Sequence, residues 1–207
     1  MQAVSREGLA VEVADLAVAR PRRVRLAVDG PPPTDPVGLA RAAAGLLRVR
    51  GRAALVVDAG DWLRPASVRL EFGRTDPEEF RHGWLDAAAL RREVLDPAGP
   101  GGSGRVLPRL WNATTDRAFR DGYEQLPADG VVLLAGALLL DRGLPLDVTV
   151  HLGMAAPALA RALPEDLRWT LPAYTDYGRP PADLLVFADH PDRPAVRRGC
   201  RCGRGGS

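Results

Sequence analysis

Five short, mainly apolar runs punctuate the chain at Val24–Val28, Ala53–Val57, Val131–Leu134, Val148–Leu152 and Leu184–Phe187. Their apolar character is nearly continuous rather than alternating, which predicts strands buried on both faces. Between them lie stretches with helical spacing. Residues 1–20 predict an amphipathic helix with Ser5 as N-cap, Val37–Val49 a second helix and Ala155–Leu163 a later one. Strands of this kind alternating with helices predict an α/β fold in three layers, a parallel sheet of about five strands with helices on both faces.

The segment from Asp61 to Pro127 differs in character. It is polar, arginine-rich and aromatic, and it reads as an insert between the second and third strands. Within it the pattern predicts a helix over Asp76–Leu95, a Gly/Pro turn over 97–104 and a strand over Arg105–Trp111. Residues 1–196 read as one domain. The tail from Arg197 (RRGCRCGRGGS) reads as low-complexity and disordered.

Composition narrows the class. With 207 residues, 46% of them hydrophobic and 26% charged, the chain is long enough to bury a core without disulfides or metals. No apolar run reaches membrane-spanning length and no secretory pattern opens the chain, so a cytoplasmic location is expected. The net charge of +2 is too slight to imply a nucleic-acid partner. All 28 basic residues are arginine. Without lysine there is no Schiff-base chemistry and no compact ammonium to hold a phosphate. Cys200 and Cys202 are too few for a structural metal site, and no metal ligand set is expected.

A strand, a glycine turn and a helix near the start of an α/β chain is the setting of a phosphate-binding loop, G-x-x-x-x-G-K-[ST]. Laid on this sequence, the pattern runs Gly30, Pro31, Pro32, Pro33, Thr34, Asp35, Pro36, Val37. The first glycine fits. Asp35 replaces the second glycine, Pro36 the lysine and Val37 the hydroxyl residue. Prolines have no N–H to offer a phosphate, and Asp35 brings a like charge. Each charge-assisted hydrogen bond lost costs roughly 1.5–3 kcal/mol.

From here the sequence resembles the actinobacterial uridine-kinase-like P-loop proteins. The resemblance rests on RVRLAVDG followed by LARAAAGLL, on VVDAGDWLRP, on FRHGWLDAAALRREVLDPAGPGGSGRVLPRLWN and on GVVLLAGALLLDRGLPLDVTVHL, and spans about residues 20–195. It implies a P-loop kinase fold and a lineage of ATP-dependent nucleoside phosphotransferases, with ATP and magnesium as the reagents of any remaining activity. It implies an acidic residue after the third strand, where this chain has Ala135-Gly136. It also implies an acceptor side in the insert.

On that basis Asp58 and Asp61 are candidates for the base that meets a nucleoside hydroxyl, with the register leaving Gly60 as an alternative. Trp62, His82, Asp86 and Arg105 are candidates for an acceptor pocket, with Trp84 beside His82 as a stacking partner. Asp61, Trp62 and Asp86 are expected to border one cleft. Arg161 and Arg168 fall at lid positions. The nucleotide-binding candidates are Gly30, Thr34, Asp35, Pro36 and Val37. The reading is a nucleoside-kinase-like protein with lost or strongly impaired phosphoryl transfer, whose partner is a nucleoside or nucleotide. Its rivals are a weak kinase working through arginines and a non-catalytic binding or interaction protein.

Overall fold

In a computed structural model, which describes residues 2–190 and 194–199, the core is a seven-stranded sheet. Its strands are β1 (Gln2–Ala3), β2 (Val24–Asp29), β3 (Ala54–Asp58), β4 (Val131–Gly136), β5 (Val148–Gly153), β6 (Leu184–Phe187) and β7 (Ala195–Arg198). Their spatial order is β1-β7-β6-β5-β2-β4-β3. The five strands expected from the apolar runs are all parallel to one another, with β2 at the centre between β4 and β5. The two additions lie at one edge and run antiparallel: β7 against β6, and β1 against β7. Arg197 and Arg198, expected in the tail, belong to β7. Hydrogen bonding to β6 holds them, a tertiary pairing that local composition does not encode. The tail from Cys200 onward, with Cys202, lies outside the described residues.

Both faces of the sheet are covered, which is why the strands read as continuous apolar runs. Side chains of β4 alternate between the faces. Val131, Leu133 and Ala135 join the core under α1 (Arg6–Val18) and α2 (Pro36–Val49), while Val132 and Leu134 join the core built by the insert. Ser5 caps α1, accepting the Gly8 N–H at 3.1 Å. Pro36 opens α2, where its missing N–H costs nothing. The paired Arg25 and Asp147 stitch β2 to the start of β5 through two side-chain bonds of 2.8 and 2.9 Å.

The insert departs from its sequence reading. The single helix expected over Asp76–Leu95 is broken into α3 (Pro77–His82), a short helix at Ala87–Leu90 and a wide turn at Arg91–Leu95. Gly83 ends the first piece and Asp86 caps the second. Between them Leu85 bridges to Leu63, a contact that a continuous helix could not make. The strand expected over Arg105–Trp111 is reduced to two-residue ladders at Arg105–Val106 and Trp111–Asn112, with Pro108 between them unable to donate to a ladder. Two further helices, α4 (Ala156–Ala162) and α5 (Leu171–Tyr177), follow β5. Among the described residues no helix is long and apolar enough to cross a membrane.

Candidate functional site at the carboxyl ends of the central strands

The turn after β2 sits where open α/β sheets bind ligands, beyond the carboxyl ends of the strands. Gly30 is required there by close approach: a Cβ would lie 2.6 Å from Thr34 Oγ1 and 2.8 Å from Leu152 Cβ. Pro32–Thr34 form a single tight turn. The Thr34 hydroxyl is buried and donates back to Pro31 O at 2.8 Å, so it is turned into the loop. Asp35 adopts the left-handed conformation, φ 50°, which Asp tolerates better than most residues. Its Oδ1 accepts the Gly38 N–H at 2.9 Å and its Oδ2 pairs with Arg6 of α1. The N-terminus of α2 therefore has a carboxylate from its own chain on it, neutralised by an arginine from the preceding helix. Pro36 is buried, and Val37 packs its side chain against the core.

Beside this turn is an apolar cleft of about 170 Å³, walled by Pro32, Gly60, Phe80, Trp84, Leu138 and Arg142. Four aromatic rings meet on its insert side. The Phe80 ring lies edge-on to Trp84, Trp169 and Tyr174 at centroid distances of 5.2, 5.5 and 5.8 Å. The Arg69 guanidinium covers Trp84 at 5.1 Å. Trp84 Nε1 is buried with no hydrogen-bond partner among the described residues. Arg142 donates to Leu138 O at 2.6 Å and to Arg81 O, and burial lowers the pKa of its guanidinium.

The candidates from sequence are distributed differently from the expectation of one cleft bordered by Asp61, Trp62 and Asp86. Asp86 and Trp62 are neighbours, since the Asp86 N–H donates to Trp62 O at 2.9 Å. The Trp62 ring, however, is fully buried in the insert core with Nε1 directed to Pro108 O, and the Asp86 carboxylate is spent capping Ala89 at 2.9 Å. The cleft wall is made instead by Ala59, Gly60 and Leu63, which flank Asp61 and Trp62 in sequence. Asp58 caps the turn that follows it by accepting the Gly60 N–H at 2.8 Å. Asp61 is half-buried, and its pKa is raised by burial and by Asp58, against the opposing pull of Arg109. His82 is exposed and stands 3.7 Å from Glu78, one helical turn away. Arg105 is exposed, stacks over Tyr123 at 4.2 Å and does not line the cleft. Arg161 and Arg168 are exposed on α4 and on the turn after it.

Sequence reasoning missed a buried polar cluster on the other side of the phosphate-loop turn. Asp29, the last residue of β2, is fully buried. Its Oδ1 accepts the Leu139 N–H at 2.9 Å. Its Oδ2 accepts the Tyr177 hydroxyl at 2.9 Å and lies 2.7 Å from His151 Nδ1. The Tyr177 oxygen in turn accepts the Leu140 N–H at 2.8 Å. Burial and the nearby Asp29 charge raise the pKa of Tyr177, so its hydroxyl keeps the proton it donates. The signal was present in the sequence: an aspartate and a histidine each stand in a strand made largely of apolar residues.

The fold is similar to that of solved structures of other proteins. A structure described as a possible uridine kinase from Bacillus stearothermophilus superposes with a TM-score of 0.65, covering 82% of this chain and 89% of that one at 16% identity. A putative fructose transport system kinase from Silicibacter sp. TM1040 gives 0.62, covering 86% and 97% at 22% identity. A protein called YGR205w gives 0.63, covering 94% and 99% at 10% identity. The mostly parallel sheet flanked by helices is the fold this chain shares with these structures. No protein-family profile and no curated protein sequence matches the chain.

Proposed function

We propose that this protein is a nucleoside-kinase-like scaffold that has lost, or nearly lost, ATP-dependent phosphoryl transfer and keeps a binding role at the apolar cleft. The observation that carries the reading is the Asp35 carboxylate on the Gly38 N–H, paired with Arg6. A phosphate loop works by aiming backbone N–H groups and a cation at the β- and γ-phosphates. Here three prolines remove donors, Pro36 stands at the lysine position, and a carboxylate holds the helix terminus. A polyphosphate arriving there would have to displace an internal anion and meet its charge.

The residues present also do not suit magnesium. Val37 has no oxygen ligand, and Ala135, buried in β4 beside Val28 and Asp58, has none either. Among the described residues no group of three or more His, Cys, Asp and Glu is placed to hold a metal ion. The cleft retains what an aromatic or nucleoside ligand needs: flat rings at Phe80 and Trp84, an unpaired indole donor and a half-buried arginine.

The test is a purified-protein assay with uridine or cytidine and excess Mg-ATP, alongside equilibrium titration of each ligand. Negligible turnover with measurable nucleoside binding at the cleft is expected. The Asp35→Gly, Pro36→Lys, Val37→Thr variant is expected to gain nucleotide affinity, both alone and with Ala135→Asp added. Robust turnover by the unaltered chain would instead favour a kinase whose arginines stand in for the missing groups.

A further inference from the structure

We propose that His151 and Arg179 form a second ligand site, beside the phosphate-loop turn and adjoining the apolar cleft at Leu138 and Tyr174, that takes the phosphoryl tip of a small phosphomonoester. His151 is almost wholly buried, with 4% of its side chain exposed. Its Nδ1 faces the Asp29 carboxylate, which has only acceptors to offer, so Nδ1 carries a proton and donates. The orientation of the ring is therefore fixed from behind, as in other Asp–His pairs. The opposite nitrogen, Nε2, is buried and has no partner among the described residues. A buried imidazole nitrogen without a partner is uncommon and calls for one.

Nε2 faces a small pocket lined by Gly30, Pro31, Leu138, Gly153, Met154 and Tyr177. Its enclosed part is about 20 Å³, space for one or two ligand oxygen atoms and not for a whole ring system. Gly153 marks where those atoms would sit. A Cβ built there would lie 3.4 Å from His151 Nε2 and 3.6 Å from Arg179 Nε. The empty side-chain position of Gly153 thus lies between an imidazole and a guanidinium. Arg179 is held at the rim by stacking over Phe187 at 5.0 Å. Of the other ionisable groups around the pocket, Tyr174 has its pKa raised by burial and stays uncharged, and the rest are engaged elsewhere. Asp29 is saturated by its three donors, Tyr177 is bonded to Asp29 and Leu140, and Asp189 accepts the Ala155 N–H at 2.6 Å.

The chemistry of the two groups selects the ligand. Arg179 offers only donors and requires an anionic oxygen. His151 Nε2 can share one proton with a bound oxygen, whichever of the two atoms carries it. A phosphomonoester, with a second pKa near 6, suits both groups, because one proton can be shared between a phosphoryl oxygen and Nε2 while another oxygen accepts from the arginine. A carboxylate, with a pKa near 4, is a poorer match for sharing a proton with an imidazole nitrogen. The site does not rest on the kinase-scaffold reading and survives its failure.

The experiment is an NMR titration with inorganic phosphate, read at the ring nitrogens of the chain's three histidines, with acetate as a parallel arm. Phosphate is expected to shift His151 Nε2 saturably and leave the exposed His82 unmoved, while acetate at equal concentration produces no saturable shift. Gly153→Ala fills the position with ordinary contacts, so the fold should survive while phosphate affinity falls at least tenfold. Arg179→Gln, at the exposed rim, should produce a similar loss and serves if Gly153→Ala proves unstable. An unsaturable shift, equal binding of acetate, or unchanged affinity in both variants would overturn the proposal.

Discussion

Asp35 Oδ1 and the Gly38 amide nitrogen lie 2.9 Å apart, so the first turn of α2 is closed by a carboxylate of the same loop. The cap and the left-handed backbone act on one residue, and substitutions separate them. Asp35→Ala loses the cap, worth about 0.5–2 kcal/mol, and keeps a Cβ in left-handed geometry without the local hydrogen bond that helps Asp tolerate it. Asp35→Gly relieves the backbone and forfeits only a few tenths of a kcal/mol as a cap. Urea unfolding should therefore place wild type and Asp35→Gly close together, and both above Asp35→Ala. A reversed order of the two variants would mean that the loop conformation does not depend on Asp35 as described.

The Tyr177 hydroxyl joins two elements by donating to Asp29 and accepting from Leu140. Tyr177→Phe keeps the ring and removes both bonds, leaving the Leu140 N–H without its partner. A loss of about 1–3 kcal/mol is expected from a part-buried unsatisfied group. Amide hydrogen exchange should accelerate at Leu139 and Leu140 before it does in β4. A uniform change across the sheet would argue against a local role.

Asp61 and Asp121 should respond to acid with opposite signs. The Asp61 pKa is raised by burial and by Asp58, so its ionised form weighs against the folded state at neutral pH. Asp61→Asn should be more stable than wild type near pH 7, and its advantage should shrink as pH falls through the raised pKa toward the ordinary carboxylate value. The Asp121 pKa is lowered by its hydrogen bonds from Arg109. Its contribution is present above the ordinary carboxylate value and is lost as pH falls through the lowered one. Asp121→Asn should therefore be the less stable protein at pH 7 and approach wild type in strong acid. Chemical denaturation at a series of pH values checks both.

Trp62 fills the insert core with no exposed surface. Trp62→Ala should cost about 3–5 kcal/mol, the range for deleting a large buried aromatic. Trp84→Ala, on the cleft wall, should cost less stability and remove more nucleoside affinity. Thermal melts and a uridine titration on both variants test this division. Equal effects of the two variants on binding would mean that the cleft is not where the ligand sits.

The apolar runs determined the five parallel strands, because burial on both faces demands continuous hydrophobicity and the connecting lengths demand crossover helices. Ser5 marked a helix start through local hydrogen-bonding chemistry that any chain context preserves. The loop sequence from Gly30 to Val37 also determined how few donors the loop can offer, since proline lacks an N–H in every fold. The partners were decided only in three dimensions. Arg6 is 29 residues from Asp35, and His151 is 122 residues from Asp29. No local pattern couples positions so far apart. Whether Trp62 or Trp84 faces the cleft, and whether Asp86 binds a ligand or caps a helix, depended on how the insert breaks at Gly83 and folds back against Leu63. That break came from tertiary packing, which outweighed a helical pattern that was locally consistent.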